Sequence, residues 1–515
     1  MSRLREAFFV EETADTDWLW ALLVIGVLML GGCAVGPNYR TPAAEVPPTY
    51  KETANWMPAQ PNDQNLGGNW WTIFQDPQLD SLELQVNVSN QNLKAAEAQY
   101  EESRAVLRYY RADYYPTVTA GLSGTRTRVS SNAPPPGSSF DGITYSNLVL
   151  PVDFSYEADV WGRVRRTVES YREQAQASAA DLATINLSLH ADLAIDYFEA
   201  RSLDAEEQLL NSTVKQYQDA LDLTQSRFQG GLSSEVEVQQ AKTQLDTTRA
   251  LAIDVGVLRA QYEHAVAILV GKPPAEFSLP PLPLTAPPPA IPVSVPSELL
   301  ERRPDIASAE RQVAAANAQI GVAKSAYYPL IELTGGGGFE STSITTLLNG
   351  PSGLWSLGGS ALGTLFDVGR RRAATDQARA AYEVQVAAYR QSVLNGFQQV
   401  EDNLAALRIL ENEAKMQDEA VTAAQSSLDL SNTRYTGGVT SYLEVTIAQS
   451  AALSDEVTAV NILGRRMANT VLLIQALGGG WDRSSLPARP ECCGKLVSSA
   501  DSGSGNTGSP RLGLP

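Results

Sequence analysis

The hydrophobic positions of this chain fall into two regimes, a helical one of great length and a strand-like one of period two. From Arg163 to Gln229 there is neither proline nor glycine. Within that run Leu210, Val214, Tyr217, Leu221, Thr224 and Phe228 follow one another at spacings of 4 and 3, which is the seam of a coiled coil. At about 1.5 Å per residue the run predicts a rod of roughly 100 Å. A second seam, Val421, Ala424, Leu428, Ser431 and Tyr435, has the same spacing. Each rod runs into a glycine pair, Gly230 with Gly231 and Gly437 with Gly438, that permits a sharp turn. Ser233 and Thr440 are placed to start the return helices. The strand-like regime lies upstream of each rod. Leu148, Leu150, Val152, Phe154, Tyr156 and Ala158 alternate with Asn147, Val149, Pro151, Asp153, Ser155, Glu157 and Asp159. Ile331, Leu333 and Phe339 oppose Glu332, Thr334 and Glu340, and Trp355, Leu357, Ala361 and Leu365 oppose Ser356, Ser360 and Thr364. The stretch from Thr117 to Val129 alternates more weakly.

These regimes occur twice. Arg227 to Val238 aligns with Arg434 to Val445, Ala112 to Pro116 with Ser325 to Pro329, and Asp159 to Arg163 with Asp367 to Arg370. The interval of roughly 210 residues is far too long for a solenoid of small repeats. Each half therefore reads as helix, two strands, and a long helical hairpin. The alternation suits a barrel with lipid outside and water inside. Four strands cannot close such a barrel, and open edges are not tolerated in lipid, so several copies are required. Two chains would give eight strands and a filled interior; three would give twelve and a water-filled lumen.

Composition narrows the function. A net charge of −19 argues against nucleic acid as a partner and against an anionic lipid surface as the chief attraction. The cysteines are Cys33, Cys492 and Cys493, and the histidines are His190 and His264. No disulfide framework, metal centre or catalytic Ser-His or Cys-His set follows from so few, so neither an enzyme nor a cofactor is expected. Gly335 to Gly338 lacks the Lys-Ser/Thr of a phosphate loop and falls in a strand pattern. His190 and His264 read as ordinary surface or seam positions.

The apolar run from Trp18 to Leu30 is too short to span a membrane and fits a signal peptide. It ends in Leu30, Gly31, Gly32 and Cys33, which resembles a lipobox with Cys33 as the acylated first residue. The segment before it is acidic, with Glu11, Glu12, Asp15 and Asp17, where such leaders are usually basic. The predicted organisation is a leader (1–32), an N-terminal segment and equatorial region (33–90), a first repeat (91–279), a proline-rich connection (280–303), a second repeat (304–481) and a disordered tail (482–515).

Trp70, Trp71, Phe74, Asp76, Pro77 and Leu79 resemble the opening motif of TolC-like outer-membrane efflux factors, in the lipoprotein branch named after NodT. Glu301 to Ile306, Ala309, Glu310, Ala315 to Ala318, Ile320 and Gly321 resemble its second-half signature, and Gly36 to Arg40 resembles the same branch. The resemblance implies an α+β membrane protein and a homotrimer with a twelve-strand β-barrel above a periplasmic helical barrel. It implies a lipid-anchored exit duct of a tripartite efflux pump in the outer membrane. Its partners would be a periplasmic adaptor, an inner-membrane transporter of the RND type, and outer-membrane lipid; the duct of a type I secretion system is the alternative. By the same resemblance the hairpin tips meet the adaptor, through Arg227, Phe228, Gly230, Gly231 and Leu232 and through Arg434, Tyr435, Gly437, Gly438 and Val439. Tyr442 and Leu443 would form the gate. Many relatives carry an aspartate where this chain has Ile447, so an acidic ring is not expected here.

Overall fold

The computed structural model describes residues 34–52, 68–132, 142–291 and 296–487. The leader, Cys33, Cys492 and Cys493 lie outside the described residues. The first repeat holds helices α1 (Pro77–Ser89) and α2 (Gln91–Arg111), strands β1 (Thr117–Ala120), β2 (Ser123–Arg128) and β3 (Thr144–Glu157), the rod α3 (Arg163–Gln229) and its return α4 (Glu235–Leu269). The second holds α5 (Pro296–Arg302), α6 (Pro304–Ser325), β4 (Leu330–Ser341), β5 (Gly353–Leu362), the rod α7 (Arg370–Thr436) and its return α8 (Tyr442–Ala476).

The duplication is exact in length for the rods and their returns. Both rods have 67 residues and both returns have 35. Every position of α3 thus has a counterpart in α7, 207 residues on, as Arg163 has Arg370. The rods start alike. Asp159 accepts hydrogen bonds from the backbone N–H of Val164 and Arg165, both at 2.9 Å, and pairs with the Arg165 side chain at 3.0 Å. Asp367 does the same for Gly369 and Arg371, with the Arg371 side chain at 2.7 Å. A carboxylate there satisfies the open N–H groups at a helix start. The return helices start later than the sequence suggested. Their N-caps are Ser234 and Ser441 rather than Ser233 and Thr440, because one more extended residue is needed to leave the glycine turn.

The sheet is antiparallel, in the order β1/β2, β3, β4, β5. The weakly alternating first strand is split at Gly121 and Leu122, and both pieces pair with β3. The two repeats meet at the β3–β4 ladder, where Val152 lies opposite Gly337 and Glu157 opposite Glu332. The glycine run at 335–338 lies inside β4, as its pattern required. Among the described helices none is long and apolar enough to cross a membrane.

Below the sheet the N-terminal strap ties the halves together. Val35 donates to the Trp161 carbonyl at 3.0 Å, and Asn317 donates to the Pro37 carbonyl at 3.1 Å. Gly36 has φ +112, and a Cβ on it would lie 2.6 Å from the Cα of Gly321, so the crossing of strap and α6 needs glycine on both sides. The Tyr39 hydroxyl donates to Glu310, which also pairs with Arg311 and with Arg483. Arg303 of the second-half motif donates to the Ala476 carbonyl at 3.0 Å and so caps the end of α8. The tail therefore does not come loose at Asp482. Arg483 is held by Glu310 at 3.0 Å, and the Pro487 carbonyl accepts from Gln176 at 3.1 Å; residues 488–515 are outside the described residues. The proline-rich connection is also shorter than expected, since α5 takes up its last residues.

Candidate functional site

The two hairpin tips share one geometry. In the first, Gly230 donates to the Ser226 carbonyl, Gly231 to Phe228 and Leu232 to Arg227. In the second, Gly437 donates to Thr433, Gly438 to Tyr435 and Val439 to Arg434. Gly231 and Gly438 carry φ of +73 and +72, the left-handed turn that ends a helix and that glycine adopts without strain. Leu232 and Val439, at matching places on the two turns, are both exposed.

The tips lean on each other through aromatic groups. The Arg227 guanidinium lies 4.8 Å from the centre of the Tyr435 ring and donates to the Thr436 carbonyl at 3.1 Å. Tyr435 and Tyr442 meet edge to face at 5.2 Å. Tyr442 sits in a cluster with Leu210, Tyr217, Leu221, Leu245 and Val445. The Tyr217 hydroxyl donates to the Gln449 carbonyl at 3.0 Å, and burial pushes the Tyr442 hydroxyl above its ordinary pKa.

The predicted site residues thus separate. Tyr435 and Tyr442 are inside the protomer and join its two hairpins. Leu443, 50% exposed, and Ile447 one turn on face outward. Leu443 borders a groove of about 480 Å³ between the starts of α4 and α8, with Val236, Gln240, Gln244 and Thr446. Phe228, read as the last seam residue, is 45% exposed, and Arg434 is exposed as well. The positions of Arg227 and Tyr435 in the first contact correspond by the 207-residue shift to Arg434 and Phe228, and one protomer does not bring those two together.

The same incompleteness runs up the rods. α6 packs on both α3 and α7, whereas its counterpart α2 packs on α3. α3 packs on α8, where Ser202 meets Gly464 so closely that a Cβ on the glycine would lie 2.5 Å from the serine oxygen. The counterparts of this pair are Ile409 on α7 and Val257 on α4, and they stand 54% and 56% exposed.

A buried polar pair escaped the sequence. His190 is neither a surface nor a seam residue. It stacks on Trp71 at 4.4 Å, and its Nδ1 lies 2.5 Å from a carboxylate oxygen of the fully buried Glu83. Its Nε2 lies 3.1 Å from the Asn87 carbonyl oxygen. Nε2 therefore carries the ring proton, and Glu83 is the donor to Nδ1. Burial, reinforced by Asp80, pushes Glu83 up to about 9, and burial pushes His190 down to about 4. Glu83 and His190 are 107 residues apart, so no local pattern could pair them. Among the described residues no group of three or more His, Cys, Asp and Glu side chains could hold a metal ion.

Residues 84–272 and 295–479 match the family described as outer membrane efflux protein. The toluene efflux pump outer membrane protein TtgC of Pseudomonas putida is 32% identical over 462 residues, covering 89% of this chain and 95% of its own. The cation efflux system protein CusC of Escherichia coli is 30% identical over 466 residues, covering 88% and 97%. Among solved structures the outer-membrane channel OprN superposes with a TM-score of 0.82 at 29% identity, covering 87% of this chain and all of that one.

Proposed function

The chain belongs to the outer membrane efflux protein family, and from that premise we propose that three copies close into one exit duct that spans the outer membrane and reaches into the periplasm. The observation that carries the assembly is the unequal treatment of duplicated parts. Applying the relation between the two repeats once more carries Ser202 and Gly464 onto Ile409 of one copy and Val257 of the next. It also places α2 of one copy against α7 of another, and the β5 edge beside the β1/β2 edge. Three sheets of four strands give twelve, enough for a water-filled lumen, and the acidic face supplies its wall. The apolar face with Leu150, Val152 and Phe154 then meets lipid.

The tips form the mouth of this duct. Leu443 and Ile447 turn apolar groups toward its axis and narrow it, while Tyr442 serves as the joint between hairpins rather than as the barrier. The exposed Leu232 and Val439 offer six apolar contacts to an adaptor around the rim. An inner-membrane transporter, here of the RND type, supplies the work. TtgC and CusC differ in the cargo of their names while matching this chain almost equally, so cargo is left to the transporter. Acylation at Cys33 adds a lipid anchor that the barrel does not depend on; mass spectrometry of the mature N-terminus tests it, and an unmodified Cys33 would sink it. Oxidative cross-linking of Ile409→Cys with Val257→Cys tests the assembly. A covalent ladder that ends at three chains is expected; no cross-link, or a ladder ending at two, refutes it.

A further inference from the structure

The charged residues of the sheet are sorted by sign across its two faces. Its strands hold Asp153 and Glu157 on β3, Glu332 and Glu340 on β4, and Arg126 and Arg128 on β2. Glu157 lies opposite Glu332 and Glu340 opposite Val149, and Asp153 is an even number of residues from both Val149 and Glu157. All four acids thus share one face. Arg126 lies opposite Ser146 and Arg128 opposite Thr144, on the face that Leu148, Leu150, Val152, Phe154 and Tyr156 make apolar. The residues across from the two arginines carry no charge. Both arginines are exposed, and they sit one and two pleats beyond Leu148, at the end that runs into the 129–143 connection. The opposite end of the sheet leads into the rods. The arginine end is therefore the outer rim.

We propose that Arg126 and Arg128 bind the phosphate groups of a phosphorylated glycolipid, lipopolysaccharide, in the outer leaflet. The inference rests on the reading of the apolar face as the lipid face. With about 3.4 Å per residue and a tilt near 40°, Leu148 to Tyr156 covers roughly 21 Å of thickness, close to the apolar band of such barrels. Arg126 then stands roughly 5 Å above the edge of that band and Arg128 roughly 10 Å, at headgroup depth. A rim needing only solubility could use either sign, and this chain uses acids elsewhere in the sheet. Charges on the distant rods are screened beyond about 10 Å, so the local pair of arginines rather than the net charge of −19 sets the field at this rim. Guanidinium groups match phosphate oxygens by paired, charge-assisted hydrogen bonds, and their stems lie along acyl chains while the heads reach outward. Three copies would present six.

The test uses the full chain purified in detergent, with lipopolysaccharide as the probe and the thermal midpoint and lipid co-purification as readouts. Lipopolysaccharide should raise the midpoint of the wild type. The Arg126→Gln/Arg128→Gln variant should bind it roughly tenfold or more weakly. Dephosphorylated lipopolysaccharide should give little protection, and inorganic phosphate at equal concentration none. Equal binding by wild type and variant, or equal protection by the dephosphorylated lipid, would overturn the proposal. Trp355 lies on the same face, opposite Gly337 and 83% exposed, and reports on the parent reading separately. Lipids with brominated acyl chains should quench a fluorescence component that Trp355→Phe removes. If they do not, the face is not in lipid and the barrel reading fails; if they do while binding is unchanged in the variant, the phosphate site alone fails.

Discussion

The two rods differ in what surrounds them, although they share length, start and tip. α3 is interior to the protomer. At its mid-height His190 meets Glu83, the Tyr197 hydroxyl donates to Asp76 at 2.6 Å, and Arg201 pairs with Asp204 at 2.8 Å with both side chains buried. The counterparts on α7 are Phe397, Leu404 and Arg408. Phe397 meets Tyr50 of the strap edge to face at 6.5 Å, and Arg408 pairs with Glu52 at 2.6 Å near the surface. One copy of a duplicated helix has become a core with polar networks completed by its own chain. The other has become a boundary whose remaining stripe stays exposed in one protomer, Ile409 among it.

Four measurements would break or sharpen this contrast. The largest effect is expected at the boundary. Ile409→Arg would place an unpaired guanidinium at each of three interfaces, at a cost of several kcal/mol each. Native mass spectrometry should then show monomer, with the helical circular dichroism of the monomer retained; a wild-type yield of trimer would mean that α7 does not face a neighbour there. Next comes the arginine pair in matching register. Arg201→Ala leaves the buried Asp204 carboxylate with only Arg259 and the Leu282 N–H as partners and should cost about 3–5 kcal/mol. Arg408→Ala breaks a partly exposed pair and should cost about 1 kcal/mol or less. Denaturant midpoints that are equal for the two variants would erase the distinction between core and boundary.

The third measurement is pH dependence. Glu83 is raised from 4.5 to about 9, so the folded state holds its proton more tightly and stability falls as pH rises through that interval. His190 is lowered from 6.5 to about 4, so its contribution is lost as pH falls through that interval instead. Between pH 7 and 9 the wild type should lose roughly 2 kcal/mol through Glu83. Glu83→Gln keeps a donor to Nδ1 and should flatten the thermal midpoint over that range. Phe397→Leu, at the counterpart of His190, should leave the wild-type slope unchanged. The smallest effect is at the mouth. Leu443→Ala should raise single-channel conductance modestly in planar bilayers. Ile447→Asp should add block by divalent cations that the wild type lacks, because three carboxylates around one axis repel each other.

Much of this contrast was illegible in the sequence, for a definite reason. The bounds of α3 followed from the absence of proline and glycine between Arg163 and Gln229, and the tips from their glycine pairs. Those are local signals. The seam of α7 has the same spacing as that of α3, yet Val421, Ala424, Leu428 and Ser431 are only half-buried while Leu210, Tyr217, Leu221 and Thr224 are buried. Periodicity shows which face is covered and not which chain covers it. The burial of Tyr442 was hidden from the sequence for a related reason. It adjoins Leu443, but successive helical residues point about 100° apart, and the neighbours that decide between core and mouth come from α3. The helix starts were displaced by one residue because another capping residue, Ser233 or Thr440, immediately precedes each true cap. The anchoring of Arg483 by Glu310 spans 173 residues and leaves no trace in the composition of the tail.

The ladder between β3 and β4 also sets an order of events during synthesis. Asn147 bonds to Glu340 across 193 residues, with the whole first hairpin lying between them in the chain. The rods and returns can zip locally, and so can β2 with β3 or β4 with β5. The ladder that unites them must wait until the second repeat has emerged, and closing so long a loop is slow. A chain arrested before β4 would therefore possess its coiled coil and only part of its sheet; on the proposed barrel reading, that keeps unpaired strand edges out of the bilayer until the partner strand exists.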